Sequence, residues 1–595
     1  MLLDESGAVP QARPLAEQVS HWTARLAGAP TVLELPADRP RPPVLSSRRA
    51  APHVLVPAEL SRTLRSFSQD GGVSLFSVLY AGFAALLYRY TGQQDLLVGS
   101  GDTVVLRAQV SAAQPFRSLV GQANEAVLDT LNWPGTPLDA VIEAIGPDRD
   151  PSRAPLFQVM FSDSGRADGS AKTDLNVTVV PGPGHDDLAM IWEHSADLFD
   201  EATIARMATH YLTLLADAVA RPQVGVGVLE LVTAAQARQL GEWGRGPVVS
   251  DARPVTELVA GQVRRRPEAV AVSDPEVSLT YGELGERAGQ FAARLVSLGV
   301  GPETVVAVYA GRSAYLVTGE LAVAMTGAAF LPLDPDNPAQ RTGELLARSG
   351  AAALLTTSPL TADLPSFAGP VLVLDQPASP PEPPLAVAVH TGSVAYVIYT
   401  SGSTGQPKGV QVTHDGLANL VGWHREAYQL GPGERSTLVA SPAFDASVWE
   451  IWPALASGGT IVVPPEDVRL VPRDLASWMA AQRITWAFMP TPLAEAVLDE
   501  SWPPGTVLRY LLTGGDAIRR TTPDGLPFTL VNHYGPTETT VTVTGTPLPP
   551  GGPATPPIGR PLGGVAAYVL AGLQPVPVGV PGELCIGGAG VTRGY

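Results

Sequence analysis

The chain has 595 residues, of which 45% are hydrophobic and 16% are charged, and its formal net charge is -18 from 39 basic and 57 acidic residues. That length exceeds what a single hydrophobic core supports, and the composition is typical of a globular rather than a disordered protein. The acidic balance, without a long basic run, disfavours nucleic-acid binding. A protein of several globular units is therefore expected.

The cysteine content and the apolar runs narrow the class further. Cys585 is the only cysteine, which excludes an internal disulfide and a cysteine-rich zinc site, and its strand-like surroundings predict a buried structural thiol. The N-terminal segment carries acidic residues and no apolar core, which argues against a secretory signal. The apolar stretches Leu75–Tyr90 and Ser313–Leu333 are too short or too interrupted to predict a membrane span. A cytoplasmic location is expected.

The first third of the chain predicts an α/β unit. Val19, Trp22 and Leu26 have helical spacing, and the proline-rich residues 35–44 are expected to be extended. Ser74 predicts the cap of a helix that ends at Gly92. The apolar face of that helix is predicted to hold Leu75, Val78, Leu79, Phe83, Leu86, Leu87 and Tyr90. The strand-like runs DLLVGS, LFQVMFS, LNVTVVPG and LAMIWEHS alternate with predicted helices near Phe116–Leu131 and Glu201–Ala220.

Two stretches in this third, residues 21–42 and 149–161, resemble the C-terminal half of the condensation domains of nonribosomal peptide synthetases. The resemblance implies a chloramphenicol-acetyltransferase-like fold, here partial. The family's H-H-x-x-x-D-G motif is absent, and the single His-Asp-Gly run, His414–Gly416, lies far outside. Without a base or electrostatic stabiliser for the reacting amine, residues 1–225 are predicted to be an inactive scaffold. Alternatively, this half-domain contacts another chain.

A linker is predicted at residues 226–254, where a short helical pattern is followed by a Gly/Pro tail. Thr280 and Glu283 then form a T-x-x-E capping box before a predicted helix that ends at Gly299. The apolar positions of this helix are Leu284, Ala288, Phe291 and Leu295. The strand VVAVYAG, a helix at Ala314–Thr326 and the strand AFLPLD predict a largely parallel sheet.

A loop rich in glycine and hydroxyl groups is predicted at residues 400–409, directly after the apolar β-run Val394–Tyr399. Glycines allow backbone N–H groups to approach a phosphate closely, hydroxyls donate hydrogen bonds, and Lys408 supplies a positive charge. Gly409 follows the lysine, so the run is not a Walker motif. Taken alone, the loop is either a phosphate site or a flexible turn.

Six motifs in order identify the region from about residue 229 to 595 as similar to the amino-acid adenylation domains of nonribosomal peptide synthetases. They are LTYGEL, GAAFLPLDPDNP, YTSGSTGQPKG, FDASVWE, NHYGPTETT and GELCIGGAGVTRGY. The resemblance implies an adenylate-forming core at residues 255–595 with mixed sheets, helices and a small barrel-like β part. It also implies ATP-dependent conversion of an amino acid to aminoacyl-AMP and pyrophosphate, with Mg²⁺ as cofactor.

The resemblance assigns ATP and metal roles to named positions. Thr400, Lys408 and Glu538 are the expected catalytic residues, with Glu538 placing Mg²⁺ and Tyr534 stacking on adenine. The expected ATP-binding residues are Thr400, Ser401, Gly402, Ser403, Thr404, Gly405, Lys408, Gly514, Gly515, Asp516, Asn532, Tyr534, Gly535, Thr537 and Glu538. Read without the family, Tyr534 is a loop aromatic that covers a core, and Glu538 is a carboxylate favoured at a helix start.

Asp445 is the residue that separates substrate classes. An amino acid brings an ammonium group into an apolar pocket, and a buried cation needs a carboxylate partner, whereas fatty and aryl acids do not. Asp445 is also a candidate N-cap for a helix at Ala446–Trp452. The pocket positions carried over from the family are Asp445, Ala446, Trp449, Phe488, Leu512, Gly514, His533, Val541 and Thr542.

The pocket predicts leucine or a close aliphatic relative, because Trp449 and Phe488 occupy the volume that an aromatic side chain would need. His533 departs from the leucine-selecting pattern. It either bonds a β-hydroxylated aliphatic substrate, which is the alternative, or is bonded only to neighbouring backbone.

The family continues beyond Tyr595 with a ribose-binding aspartate, a hinge, a subdomain that carries a catalytic lysine, and a carrier domain with phosphopantetheine. Weak adenylation by this chain is therefore expected, with loading of a carrier protein in trans. The alternative from another class is a binding scaffold that docks other synthetase parts or an MbtH-like protein, with Ala454–Gly459 as the candidate surface. An acyl-CoA synthetase is disfavoured by Asp445.

Overall fold

The structure, a computed structural model, describes residues 13–101, 104–133, 135–148, 150–163, 173–184, 187–376, 389–401 and 405–595. The chain divides into two compact units. The N-terminal unit comprises Met1–Leu240 and Val569–Leu584, and the C-terminal unit comprises Gly241–Tyr568 and Cys585–Tyr595. Within the described ranges no single helix is long and apolar enough to cross a membrane, although one bent pair of helices, Ala58–Gly71 and Leu75–Thr91, passes on length and composition.

Helices and strands alternate in the N-terminal unit, which confirms the predicted α/β class. Its helices are α1 (Leu15–Leu26), α2 (Ala58–Gly71), α3 (Leu75–Thr91), α4 (Phe116–Leu131), α5 (Leu138–Ile145), α6 (Glu201–Ala220) and α7 (Ala234–Trp243), the last of which crosses the unit boundary. Its strands are β1 (Arg49–Ala50), β2 (His53–Leu55), β3 (Asp95–Ser100), β4 (Val104–Gln109), β5 (Val159–Ser162), β6 (Leu175–Pro181) and β7 (Leu188–Ser195).

The strands β1 to β7 form one mixed sheet in the order β1-β7-β6-β5-β3-β4, with β2 also on β7. β5 is parallel to β3 and β6, and the other pairings are antiparallel. The predicted helix α3 is confirmed at both ends, since Ser74 accepts from the Ser77 N–H and Gly92 has a φ of 71°. It is buried on nearly every side, so its interior position rather than amphipathicity determines its composition.

The C-terminal unit holds the remaining helices and most of the remaining strands. The helices are α8 (Val255–Arg265), α9 (Tyr281–Ser297), α10 (Ala314–Met325), α11 (Ala339–Ser349), α12 (His414–Ala427), α13 (Asp445–Ser457), α14 (Glu466–Arg469), α15 (Pro472–Ala481) and α16 (Thr491–Val497). The strands up to the phosphate region are β8 (Val270–Ser273), β9 (Ser278–Thr280), β10 (Val305–Tyr309), β11 (Ala329–Leu333), β12 (Ala353–Thr356), β13 (Val371–Val373), β14 (Val394–Ser401) and β15 (Pro407–Thr413).

The later strands complete the sheets. They are β16 (Arg435–Thr437), β17 (Thr460–Val462), β18 (Trp486–Pro490), β19 (Tyr510–Gly514), β20 (Thr529–Tyr534), β21 (Thr544–Leu548), β22 (Arg560–Pro561), β23 (Val565–Ala571), β24 (Gln574–Pro575) and β25 (Glu583–Gly588). One sheet runs β13-β12-β10-β11-β14-β15 and another runs β22-β21-β20-β19-β18-β16-β17-β8-β9. Four pairings, β14–β15, β20–β21, β21–β22 and β8–β9, are antiparallel, and the other pairings in both sheets are parallel, as predicted.

Two predictions made from short sequence patterns in the C-terminal unit, a helix cap and a β-α-β unit, are confirmed by the structure. The Thr280 hydroxyl accepts from the Glu283 N–H, and the Glu283 carboxylate accepts from the Thr280 N–H, which is the full capping box of α9. α10 lies between the parallel neighbours β10 and β11, as the β-α-β pattern predicts.

Four predictions are corrected by the fold. β23, β24 and β25 form a small open sheet, and no sheet among the described residues is closed, so the expected barrel-like part is wrong. The glycine-rich loop is shorter than residues 400–409, because β14 continues to Ser401 and β15 begins at Pro407. Cys585 lies in a strand but is half-buried rather than buried. Ala454–Gly459 is buried, and the Tyr281 hydroxyl donates to the Gly459 carbonyl at 2.8 Å with two more of its carbonyls within 3.5 Å, so it offers no docking surface.

Candidate functional site

A cavity of about 380 Å³ opens at the carboxyl ends of the parallel strands β18, β19 and β20, next to the first turn of α13. Ligand sites in open α/β sheets form at this edge because the loops that leave parallel strands meet there. The cavity brings together eight of the nine predicted pocket residues: Asp445, Ala446, Trp449, Phe488, Gly514, His533, Val541 and Thr542.

Leu512 is the predicted pocket residue that does not line the cavity. It pairs with Phe488 across β18 and β19 and has no exposed surface, since it belongs to the core cluster that also contains Trp449. Gly514, two residues further along the same strand, reaches the cavity instead. Leu512 therefore supports the pocket wall from inside the core.

Asp445 is the first residue of α13, and Phe444 is the N-cap, so the predicted N-cap role of Asp445 is wrong by one position. Its half-buried carboxyl group faces the cavity. Burial raises the pKa of this carboxyl to about 6, and hydrogen bonds from Thr537 and from the first backbone N–H groups of the helix oppose the rise. No Lys, Arg or His in the described parts of the chain forms an ion pair with it. The cavity thus presents a carboxylate that has no cation of its own.

His533 uses both ring nitrogens within the protein. The Tyr428 hydroxyl lies 2.7 Å from Nε2, while Nδ1 lies 3.4 Å from the Thr542 hydroxyl. Burial lowers the pKa of His533 to about 3, which keeps the ring neutral. Both nitrogens face protein hydroxyls, so neither remains for a substrate hydroxyl. The expectation that His533 bonds only to backbone is wrong, because Tyr428 and Thr542 contact it through their side chains.

The apolar walls of the cavity are aromatic. The rings of Trp449 and Phe488 lie 5.5 Å apart, and Trp449 meets His533 edge to face at 4.9 Å. Val541 completes this wall with a φ of 68°, directly after Thr540 with a φ of 57°. Two consecutive β-branched residues in the left-handed region store backbone strain, which persists only where surrounding contacts hold it. The Thr540 hydroxyl supplies one such contact by donating to the Gly590 carbonyl at 2.7 Å.

The polar rim of the cavity contains Gly514, Gly515, Asp516 and Gly535, all four of which were predicted to contact ATP. A Cβ on Gly514 would lie 2.7 Å from the His533 carbonyl oxygen, so this position accepts only glycine without movement of the backbone. The Thr491 hydroxyl donates to the carbonyls of Gly514 and Asp516 and holds the rim in place.

Two other residues predicted to bind ATP lie on β20, and they differ in whether their side chains are exposed to a ligand. The side chain of Tyr534 is 41% exposed and is free to cover a flat ligand. Asn532 is buried, and its amide donates to the Pro557 carbonyl at 3.1 Å. The amide of Asn532 is therefore occupied within the protein.

The phosphate region lies on the hairpin of β14 and β15. Thr400 and Lys408 are paired directly across the two strands, and the Lys408 ammonium lies 4.8 Å from the centre of the Tyr595 ring. The Tyr595 hydroxyl donates to Glu538 at 2.7 Å. Tyr595 therefore lies between the residues predicted for phosphate and for Mg²⁺. Of the other predicted loop residues, Ser401 and Gly405 are exposed, and Gly402, Ser403 and Thr404 lie outside the described residues.

The structure adds residues that sequence reasoning missed. The Glu450 carboxylate accepts from the backbone N–H groups of Val439 and Ala440, and it fixes the loop through which Ala440 and Ser441 reach the cavity. Burial raises the pKa of Glu450 to about 8. Ser441 in turn donates to Asp334. The only local signal for Glu450 was its place in the FDASVWE run, five residues after Asp445.

A metal would rely on few protein ligands at this site. The described residues contain no group of three or more His, Cys, Asp or Glu side chains that could hold a metal ion. Glu538 is half-buried and has one carboxylate oxygen bonded to Tyr595, which leaves acceptor capacity for a cation shared with phosphate oxygens. The arrangement can place a cation at Asp445, an apolar group against Trp449, and an anion near Lys408.

Comparisons with known proteins give two family matches. The family model for AMP-binding enzymes matches residues 259–595, and the condensation-domain model matches residues 7–101 and 102–241. The chain is 38% identical to linear gramicidin synthase subunits C and D of Brevibacillus parabrevis, over 98% of its own length and 8% and 12% of theirs. It is 37% identical to phosphinothricin tripeptide synthetase PhsB of Streptomyces viridochromogenes, over 98% of its length and 53% of that protein.

Solved structures share the fold. A four-domain nonribosomal peptide synthetase bound to AMP and glycine has a TM-score of 0.86 at 23% identity, over 99% of this chain and 48% of that one. The synthetase FmoA3 in its AMPPNP-bound form has a TM-score of 0.85 at 24% identity, over 99% of this chain and 67% of that one. Both confirm the mixed α/β architecture predicted from the motifs.

Proposed function

The chain belongs to the AMP-binding enzyme family, and on this premise we propose that its C-terminal unit activates an aliphatic amino acid with ATP. An adenylate-forming ligase domain is present, and condensation-domain sequence precedes it, as in nonribosomal peptide synthetase modules. The observation that carries the proposal is Asp445, a carboxylate that opens into an apolar cavity and has no cation partner among the described residues. The substrate ammonium would supply that partner.

The reaction joins two anions. A carboxylate oxygen of the amino acid attacks the α-phosphorus of ATP, the bond from that phosphorus to the β-phosphate bridge breaks, and pyrophosphate leaves. Lys408 and the hydroxyl of Thr400 would neutralise and orient the phosphates from the β14–β15 hairpin. Glu538 would hold Mg²⁺, which lowers the charge on the phosphates, and Tyr534 would cover the adenine. Asp445 and the aromatic wall orient the carboxylate toward the phosphorus.

Leucine is the proposed substrate. Trp449, Phe488 and Val541 give the side chain an apolar enclosure, and among the described residues that line the cavity only Asp516, on the exposed rim, carries a charge besides Asp445. The alternative β-hydroxylated substrate has little support, because both nitrogens of His533 are bonded within the protein. We expect leakage to valine and isoleucine, since one methylene changes discrimination by only about 10 to 200-fold.

The remaining parts of the proposal concern partners and organisation. A carrier protein with phosphopantetheine would receive the aminoacyl group, and residues 1–225 would serve as a condensation-derived scaffold before a linker at 226–254 and an adenylation core at 255–595. An MbtH-like partner and a cytoplasmic location stay predictions, and the segment Ala454–Gly459 does not favour the partner because it is buried. The chain spans 8% and 12% of the length of two gramicidin synthase subunits, so the activity and partners of a whole synthetase are proposals for this chain.

The test is a binding panel. The chain is titrated calorimetrically with the proteinogenic amino acids in the presence of Mg²⁺ and an ATP analogue that has a methylene bridge between the α- and β-phosphates, which prevents turnover. We expect leucine to bind best, with isoleucine and valine following and with charged amino acids below detection. Binding of acetate or octanoate as well as leucine, with no dependence on the ammonium group, would show that Asp445 does not select an amino acid.

A further inference from the structure

Behind the aromatic wall of the cavity lies a second layer of polar side chains that does not touch the ligand space. Its members are His424, in the last turn of α12, and Tyr428, four residues later. Neither lines the cavity, and both are buried. Each makes one hydrogen bond to a residue that does line it: His424 to Trp449, and Tyr428 to His533. Trp449 and His533, which line the cavity, are thus both hydrogen-bonded to residues at the C-terminal end of α12.

The bond to Trp449 has a fixed direction. An indole N–H only donates, so Nδ1 of His424, 2.7 Å from Trp449 Nε1, must accept and the proton must lie on Nε2. Burial keeps the pKa of His424 well below its ordinary value, so the ring stays neutral and this tautomer persists. His424 also contacts the ring of Trp486 at 4.8 Å and meets Trp449 at an angle of 89°. The imidazole cannot rotate without losing these contacts.

The bond to His533 joins two packed rings. The Tyr428 hydroxyl lies 2.7 Å from Nε2 of His533, and the tyrosine ring is held by Tyr510 at 4.9 Å and by His424 at 4.7 Å. His533 in turn packs edge to face against Trp449, which closes a ring of four residues: His424, Trp449, His533 and Tyr428. Both hydrogen bonds join buried side chains, so the loss of one partner leaves a buried polar atom unsatisfied.

We propose that His424 and Tyr428 are positioning residues that determine which side-chain length the amino-acid pocket accepts, by fixing the rotamers of Trp449 and His533. This inference rests on the proposed function and deepens it. The physical reason is that a buried indole N–H without an acceptor turns toward another polar group, and a rotated indole changes the depth of a cavity of about 380 Å³. A positioned wall discriminates between leucine and longer side chains, and a mobile wall does not.

The first readout needs no amino acid. In the chain labelled with ¹⁵N-tryptophan, the Trp449 indole signal is assigned among the 10 tryptophans by its loss in Trp449→Phe. His424→Phe, which removes the acceptor, is expected to shift that signal upfield and speed its exchange with solvent. His424→Asn, whose amide oxygen replaces Nδ1, is expected to restore most of the shift. An unchanged indole signal in His424→Phe would overturn the inference.

The second readout is selectivity. Affinities for leucine, methionine and phenylalanine are measured with Mg²⁺ and the methylene-bridged ATP analogue. The preference for leucine over the longer side chains is expected to fall by about tenfold in His424→Phe and less in Tyr428→Phe, and to return toward wild type in His424→Asn. Preference ratios in both variants within about twofold of wild type would also overturn it. Tyr428→Phe removes a single oxygen, so it keeps the test decisive where His424→Phe does not fold.

The control is a second buried tyrosine–histidine pair in the N-terminal unit, where the Tyr90 hydroxyl lies 2.6 Å from Nδ1 of His210. Tyr90→Phe removes the same group from the same kind of pair and should leave the preference ratio unchanged. A wild-type chain that binds none of the three amino acids would refute the proposed function and the specificity claim together. The indole signal would still show whether His424 positions Trp449, so the two failures are distinguishable.

Discussion

Each unit of the chain contains an aspartate whose pKa is raised by burial, and the two aspartates differ in whether a cation pairs with the carboxylate. Asp174, at the start of β6, has a side chain that is 1% exposed and accepts two hydrogen bonds from the Arg41 guanidinium. Burial raises the pKa of Asp174, and Arg41 opposes the rise. Asp445 is half-buried at the cavity, and no cation among the described residues pairs with it. A carboxylate with its own arginine stabilises a fold, whereas one that faces an apolar cavity is suited to bind a cationic ligand.

The first prediction concerns the largest expected difference between the two carboxylates. Asp445→Asn should lower leucine affinity by at least about 100-fold, because the substrate ammonium would be buried without a countercharge. Asp174→Asn should leave the affinity within about twofold, since Asp174 does not reach the cavity. Calorimetric titration with leucine measures both. Equal losses in the two variants would mean that Asp445 acts through stability alone.

The second prediction is that the same substitutions change stability in opposite directions. Between pH 4 and 6 the unfolded chain binds fewer protons at residue 445 than the folded chain, whose pKa there is about 6, so ionisation makes the fold less stable as the pH rises. Asp445→Asn should therefore stabilise the ligand-free chain by about 1 to 2 kcal/mol at pH 8, and by less at pH 5. Asp174→Asn should destabilise it by roughly 2 kcal/mol, because Arg41 loses its partner.

Scanning calorimetry at pH 8 and pH 5 measures these changes. The Asp445 carboxylate would then be costly to the fold and retained for binding. Loss of stability in Asp445→Asn at pH 8 would contradict that interpretation.

The third prediction is the pH dependence of binding. The carboxylate form of Asp445 attracts the ammonium group, so leucine affinity should change little between about pH 7 and pH 8 and fall by about tenfold from pH 7 to pH 5, as the group with a pKa of about 6 becomes protonated. Asp445→Glu serves as a control that keeps the charge. Titrations at four pH values test this, and an affinity that does not change across the range would be incompatible with an ionising Asp445.

The fourth prediction, with the smallest effect, compares the two tyrosine–histidine pairs. Tyr90→Phe and Tyr428→Phe should each lower the free energy of unfolding by about 1 kcal/mol, because each leaves a buried histidine nitrogen without its partner. Burial holds the pKa of His210 at about 4 and that of His533 at about 3, so neither ring gains a proton that would alter the result near pH 7. Urea unfolding followed by tryptophan fluorescence measures both changes.

Prediction from sequence succeeded where a signal was local. Ser74 and Gly92 cap the two ends of α3, and Thr280 with Glu283 caps α9, as predicted. These features could be predicted because each depends on residues a few positions apart. The predicted bounds of the glycine-rich loop were wrong by a few residues, because strand pairing determines where the loop begins and ends. The hairpin of β14 and β15 extends into the glycine-rich run, since the cross-strand bonds of Thr400 with Lys408 outweigh the turn preference of the residues around them.

Burial was the other source of error. Ala454–Gly459 reads as a surface segment near a helix end, yet the Tyr281 hydroxyl and the Gln262 amide, from α9 and α8, bond its carbonyls. Leu512 was placed in the pocket by its motif position, and the pairing of β18 with β19 puts it in the core. Neither fact has a signature in the local pattern, because both depend on which elements pack against the segment.

The sequence by itself determined the family and the order of elements, and it singled out Asp445 as the predicted ammonium partner, because ordered motifs and the chemistry of a buried charge are properties of residue type and spacing. Only the tertiary structure decided what holds the pocket walls. His424 and Trp449 are 25 residues apart in the chain, and Tyr428 and His533 are 105 apart. Contacts across such separations exist only after the sheets have assembled, so the residues that we infer to set selectivity could not be read from the chain alone.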